Sequence, residues 1–302
     1  MTLFHTLRDM ALRRQTWRYY HFDYPYGLPP YRSFPLKQAM IADPARVIYL
    51  PIAKNACTSL KTLMADLGGL ADARKAKGIH RLLDGEKTDL LFLHRTEPEI
   101  DARLADPDWM RFVVLRHPIE RLVSVYVEKF VLHRLVPAAG ITIDPVILRS
   151  TGKWDLNQAD YERGISFRQF AEDVLREDPR RLDPHWRHQS LVLDHINFTH
   201  VYTTDHMEVL KADLEAHTGG AIDLPHKNRA RDGSEVGATG PCLADALPGD
   251  LDTPQKVPPA QFLDADLRAR LEAHYAQDIL LYQMAAQHLD QSGTGRLARP
   301  VV

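Results

Sequence analysis

Val47-Ile48-Tyr49-Leu50-Pro51-Ile52-Ala53-Lys54-Asn55-Ala56-Cys57-Thr58-Ser59-Leu60-Lys61 begins as a β-branched and aromatic run, passes through a lysine-bearing turn of small residues and ends inside a helical period. Val47 to Leu50 has the composition and length of a buried strand. After the turn, Leu60, Leu63, Met64 and Leu67 recur at helical spacing until Gly68-Gly69 stops them. A strand that feeds a helix through a tight loop is the repeating unit of a parallel sheet with crossover helices. The same pattern recurs downstream. Leu90 to Leu93 and Phe112 to Leu115 read as further buried strands, and Pro118 after the second is well placed for the first turn of a helix, with His117 held out of the helical region. Phe167 to Leu175 reads as a helix, Phe198 to Tyr202 as a strand, and Glu208 to His217 and Ala265 to His288 as helices. The fold class expected is α/β, a central parallel sheet with flanking helices.

Outward from this core, residues 1–45 pair an apolar helical spacing (Phe4, Leu7, Met10, Ala11) with an aromatic, proline-rich stretch, and are expected to form a short helix and an arm. Its scattered arginines fit a solvated face, and a basic amphipathic helix touching a membrane or a partner is the other reading. Residues 46–302 would then be the main domain, with 231–259, dense in Gly, Pro and Asp, as a mobile loop. Across 302 residues, 38 Lys and Arg stand against 40 Asp and Glu, a formal charge of -2, so no overall field draws the chain to nucleic acid. Any anion has to be met by a local site. Two distant cysteines, Cys57 and Cys242, offer neither a disulfide framework nor a metal spacing. Charges interrupt Met1 to Tyr20, and no stretch reaches the roughly 18 apolar residues of a membrane span. A cytoplasmic location is expected, and oligomeric state is not legible.

The chemistry concentrates in two segments. A helix start presents backbone N–H groups and the positive end of the dipole, so the Lys54 to Ser59 turn is suited to cradle a phosphate. It has no glycine and is not a Walker A loop, which requires G-x-x-x-x-G-K-[ST]. The plain alternative is a solvated Lys54 with Thr58 or Ser59 as an N-cap. The second segment is Arg116-His117-Pro118-Ile119-Glu120-Arg121-Leu122-Val123-Ser124-Val125-Tyr126-Val127-Glu128-Lys129-Phe130. Arg116 at a strand end and Ser124 on the next helix could grip one anion with a guanidinium fork and a hydroxyl. Alternatively, Arg116 pairs with a carboxylate and Ser124 is a small packing residue.

Together the two segments resemble the carbohydrate sulfotransferases of the Golgi type, including the chondroitin enzymes, of which this chain would be a soluble, bacterial-like member. Ala53-Lys54, Ala56-Cys57-Thr58 and Lys61 resemble that family's P-K-x-A-C-T-x-x-K loop. Arg116 to Phe130 resembles its R-[DE]-P-F-E-R-L-x-S-A-Y-x-x-K-F segment, in the same order. Fainter likenesses are His185-Trp186 with Gln189 (H-W-x-x-Q), Tyr202 to Leu210, and Tyr275 with Asp278 (Y-x-x-D). The departures are Ala53 for proline, Ser59 for another polar residue, and His117 for the acidic residue after the arginine.

The resemblance implies a sulfotransferase fold like that of the P-loop kinases. It also implies transfer of a sulfuryl group from adenosine 3′-phosphate 5′-phosphosulfate (PAPS) to a hydroxyl of a carbohydrate or other acceptor. By position, Lys54, Asn55, Ala56, Cys57, Thr58 and Ser59 would wrap the 5′-phosphosulfate, with Lys54 neutralising the leaving phosphate. Arg116 and Ser124 would hold the 3′-phosphate, and Lys227 and Arg229 resemble the late segment that closes over the nucleotide. No metal is called for by such positioning and charge stabilisation. An acceptor hydroxyl needs a base, and histidine suits it. His80 stands roughly where the family carries one, and His94, at the end of the Leu90–Leu93 run, is favoured by strand-end geometry. His185 and Trp186 are candidates for acceptor binding or for a hydrogen-bonded core corner, and H-x-x-H at His185 and His188 lacks a third ligand for zinc. Cys57 reads as a packing residue. A nucleotide-dependent kinase of related fold and a catalytically silent nucleotide-binding module are the competing functions.

Overall fold

The computed structural model describes residues 30–70, 79, 83, 88–135, 140–153, 159–224 and 240–298. His80, Lys227 and Arg229, with most of the N-terminal arm, lie outside them. The chain divides into two compact units. A sheet unit takes its described residues from Asp23–Arg116, Gln189–Asn228 and Leu280–Val302, and a helical unit takes its own from His117–His188 and Arg229–Ile279.

In the sheet unit, β1 (Met40–Ala42), β2 (Val47–Tyr49), β3 (Met110–Leu115) and β4 (His200–Thr203) lie side by side in chain order. β1 runs antiparallel to β2, and the β2–β3 and β3–β4 pairings are parallel, with Tyr49 opposite Phe112 and Leu115 opposite Thr203. All six residues of β3 are buried, as a strand covered on both faces must be. Alternation sorts the side chains. Val47, Tyr49, Phe112 and Val114 pack on one face with Leu60, Leu63 and Met64 of helix α1 (Cys57–Leu67). Ile48, Leu50, Val113 and Leu115 pack on the other with Ile100 of α2 (Glu97–Ala105) and Phe92. The expected α/β architecture with flanking helices is what the unit has.

Three expectations shift. Leu90 to Leu93 is not a strand of the sheet. Only Leu91 bridges β1, through Ile41 N–H to Leu90 O at 2.7 Å and Phe92 N–H to Ala39 O at 2.9 Å, and the chain then turns into a 3₁₀ helix, Phe92–His94. A four-residue apolar run reports burial, not hydrogen bonding, and here Phe92 is buried beside the sheet without a ladder of its own. Secondly, β1 lies inside the segment read as an arm, so the sheet begins at Met40. Thirdly, the part of 231–259 from Gly240 onward packs: Ala244 is fully buried, and Pro248–Asp250 and Pro254–Lys256 are 3₁₀ turns. Gly and Pro density there marks irregular backbone anchored by apolar residues.

The helical unit opens with α3 (Pro118–Val125), which continues as a π-helical segment, Tyr126–Leu132. α4 (Gly140–Thr151), α5 (Phe167–Arg176) and α8 (Ala265–His274) complete its described helices of eight residues or more, apart from the start of α9 (Ala276–Ser292); α6 (Ser190–Leu193) and α7 (Met207–Thr218) belong to the sheet unit. Its core is aromatic. Tyr126, Phe130, Phe167, Phe170, Phe262 and Trp186 are buried together, with Phe170 edge-on to Trp186 at 5.2 Å and the Tyr126 hydroxyl donating to Ile165 O at 2.9 Å. Arg149 closes a bidentate pair with Asp173 at 2.7 and 2.6 Å, joining α4 to α5. Among the described residues no helix is long and apolar enough to cross a membrane.

Each unit holds a histidine, His188 buried and His200 half-buried, whose surroundings disfavour the charged ring. In the helical unit, burial pulls His188 down to about 4, outweighing the nearby Asp278 carboxylate and helped by His274 and Arg121. In the sheet unit, burial pulls His200 to about 4 as well. Both native values lie below the ordinary 6.5, so this contribution to stability is complete above pH 6.5 and drains away as pH falls toward 4. Urea midpoints should therefore decline between pH 7 and 5, above the range where most carboxylates titrate, and His188→Gln or His200→Gln should flatten the slope. A midpoint independent of pH across that interval would mean that neither ring is held neutral.

Candidate functional site

β2 and β3 are neighbouring parallel strands, so the turn after β2 and Arg116 after β3 emerge at the same carboxyl edge of the sheet. The turn has an unusual backbone. Lys54 and Ala56 have φ of 71° and 56°, the left-handed region that side chains other than glycine rarely enter. Ala56 is the N-cap of α1 and supplies no side-chain cap. A left-handed residue followed by the right-handed start of a helix curls successive backbone N–H groups around a concavity, the geometry of an anion nest, and the dipole of α1 adds its positive end there. The sequence contains no glycine in this turn, yet the backbone takes the conformation that glycine usually supplies. Each left-handed residue costs about 1–2 kcal/mol.

Asn55, between the two strained residues, is fully buried. Its Nδ2 donates to Val114 O at 2.8 Å and to Gln189 Oε1 at 2.6 Å. Its Nδ2 thus ties the turn to β3 and to Gln189. Cys57 and Thr58 at the start of α1 are half-buried, and Ser59 is buried. The Arg116 guanidinium donates through Nη1 to Lys54 O at 3.3 Å. Lys54, the helix start and Arg116 therefore share one corner of the sheet unit. The corner brings together a lysine, a guanidinium and the N-terminus of a helix, a set of cationic and donor groups that suits an anion.

The remaining candidates fall elsewhere. His94 closes the 3₁₀ helix after Leu91, so the strand-end argument for it does not hold. Its Nδ1 lies 2.7 Å from Thr88 O. A carbonyl can only accept, so Nδ1 carries the proton and the neutral ring keeps its lone pair on Nε2, the tautomer a base needs. In the helical unit, Ser124 sits half-buried in the last turn of α3. Trp186 is 3% exposed within the aromatic core, and its carbonyl accepts from the Tyr275 hydroxyl at 2.6 Å, so it takes the core-corner role of the two considered. His185 is held by Asp183, Nδ1 to Oδ1 at 2.6 Å.

Two residues escaped the sequence reasoning. Arg121, the second arginine of the Arg116 segment, is 2% exposed and donates to Arg187 O and Pro184 O, both at 2.7 Å. It clamps the 184–187 stretch onto α3. Gln189 was visible only as the last letter of H-W-x-x-Q, and its carboxamide meets both Asn55 and the backbone of Arg116.

The profile of the sulfotransferase family, described as such, matches residues 37–285. The chain belongs to the sulfotransferase family. Similar curated proteins are the human carbohydrate sulfotransferase 14, 29% identical over 164 residues, covering 54% of this chain and 41% of that one; the human carbohydrate sulfotransferase 10, 28% over 156 residues, covering 51% and 42%; and the carbohydrate sulfotransferase 11 of Rattus norvegicus, 34% over 96 residues, covering 32% and 27%. The matched stretch spans about two fifths of the length of the first two relatives. No solved structure gives a significant match. The match begins at Lys37, ahead of β1, in agreement with a sheet that starts at Met40.

The strain in this sulfotransferase's turn can be measured. Ala56→Gly removes the left-handed penalty and adds back chain entropy, so it should stabilise the ligand-free protein by roughly 0.5–1 kcal/mol, read as a higher urea midpoint at unchanged slope. A lowered midpoint would show that Ala56 is not held at positive φ.

Proposed function

We propose that this chain transfers a sulfuryl group from PAPS to a hydroxyl of a carbohydrate acceptor. The observation that carries the reading is the corner at which a doubly left-handed turn, the start of α1 and the Arg116 guanidinium converge, since a polyanionic donor matches that set of donors and cations. The named relatives, all carbohydrate sulfotransferases, support the acceptor class. PAPS supplies an activated S–O bond. The acceptor oxygen bonds to sulfur while the bond from sulfur to the 5′-phosphate oxygen breaks, and adenosine 3′,5′-bisphosphate departs.

Within that scheme the turn from Lys54 to Ser59 binds the 5′ end of the donor through backbone N–H groups and hydroxyls. Lys54 neutralises the charge that grows on the leaving phosphate, which is where fixed charge accelerates group transfer. By the resemblance alone, Arg116 and Ser124 are assigned to the 3′-phosphate, for whose oxygens a guanidinium fork and a hydroxyl are suited. Lys227 and Arg229 close over the nucleotide, by resemblance. The acceptor proton goes to a histidine: His80 by family position, or His94 by its tautomer.

Adenosine 3′,5′-bisphosphate should raise the melting temperature without magnesium. Arg116→Ala should weaken that binding by about 2–4 kcal/mol, the scale of two charge-assisted hydrogen bonds, and Lys54→Ala should lower turnover with the fold retained. Unchanged affinity in Arg116→Ala would remove the arginine from the site. A response only to ATP with magnesium would indicate a kinase, and binding without mass gain on any glycan of a broad panel would indicate a silent module.

His80→Ala and His94→Ala are separated by single-turnover rates with the donor saturating. A large loss in one alone identifies the base, and full rates in both exclude histidine from that role.

A further inference from the structure

We propose that Gln189 is a positioning residue of the donor pocket, acting through the backbone of Arg116; the inference rests on the functional reading above. Gln189 is 2% exposed and immediately precedes the short helix Ser190–Leu193. Its Oε1 accepts from Arg116 N–H at 3.1 Å and from Asn55 Nδ2 at 2.6 Å, and its Nε2 donates to Arg116 O at 2.8 Å. The place where this happens gives the contact its meaning. On the β2 side the pairing of β3 ends at Phe112, opposite Tyr49, and beyond it Val114 O accepts from Asn55 while the N–H and C=O of Arg116 meet Gln189.

A carboxamide has the same donor and acceptor pair as a peptide group. Gln189 therefore meets both main-chain groups of Arg116 in the way a paired strand would, past the end of the β2–β3 ladder. The same oxygen holds Asn55, which sits between the two left-handed residues of the turn. One side chain thus sets the height of the Arg116 guanidinium and the seat of the Lys54 turn relative to each other. These three bonds run to the main chain of Arg116 and to the Asn55 amide, so their effect is on geometry.

Gln189→Met keeps the volume and removes all three hydrogen bonds. Gln189→Glu keeps the acceptor and, when ionised, sets a carboxylate oxygen against Arg116 O; protonated, it regains a donor there. Affinity for adenosine 3′,5′-bisphosphate is measured by calorimetry well below each variant's melting temperature, with wild type alongside at every pH. Gln189→Met should bind about tenfold more weakly, the scale of one net hydrogen bond. It should also lose about a hundredfold in kcat/KM for PAPS, while the KM for the acceptor stays put. Gln189→Glu should be as weak as Gln189→Met at pH 8 and recover toward the wild-type value at pH 5, where Gln189→Met does not.

A generic packing role would give no such pH-dependent recovery. Wild-type affinity retained in Gln189→Met, or no recovery of Gln189→Glu relative to wild type at pH 5, overturns the inference while leaving the functional reading intact. If Gln189→Met does not fold, the Gln189→Glu series decides alone. Failure of the wild type itself to bind the bisphosphate overturns the functional reading, and the inference with it.

Discussion

Lys54 and Ala56 can remain in the left-handed region only because the residue between them is anchored. Asn55 is fully buried, bonded to Val114 O on β3 and to Gln189, and these contacts supply what the turn's own torsions oppose. Two left-handed residues cost about 2–4 kcal/mol together, against a few hydrogen bonds of about 1 kcal/mol net each and the burial of the flanking strand and helix. Strain of this kind persists where the surroundings over-determine it. The parallel pairing of β2 with β3 is the precondition, since it brings Val114 and the turn to the same end of the sheet.

The Arg116 segment shows how one motif divides its labour. Its first arginine follows β3 and donates to the turn, while its second is buried in the helical unit and clamps the carbonyls of Pro184 and Arg187. A buried guanidinium needs acceptors, and these two carbonyls are among those that Arg121 has. Sequence spacing alone assigns both arginines the same chemistry. Burial distinguishes them.

What could be read in advance followed the strength of the local signal. β2, β3 and β4 were found to within two residues because β-branched runs bounded by turns have few other solutions. α1 was legible from Leu60, Leu63 and Met64, and α3 from Pro118. Leu90 to Leu93 misled because burial and pairing give the same apolar run, and Met40 to Ala42 was missed because three residues carry no period. At the site, Lys54 and Arg116 were legible as charge at the ends of strands. Asn55 was legible as a polar residue in the turn but its two amide contacts were not, since they are made with residues 59 and 134 positions away. The left-handed torsions were invisible because the usual marker, glycine, is absent.

That absence has its own logic. A glycine at either left-handed position would relax the turn, and it would also widen the range of backbone conformations the ligand-free loop samples. Binding then has to reorder the loop, and the cost comes out of affinity. With lysine and alanine in place, the strain is carried by the folded state, and the turn holds its shape without a ligand. Group transfer that relies on placement and fixed charge gains more from such stiffness than it loses in stability, because misplacement of about 1 Å can cost a hundredfold in rate. On the proposed donor-binding role, the turn trades folding free energy for preorganisation, and buried Asn55 is what makes that trade possible.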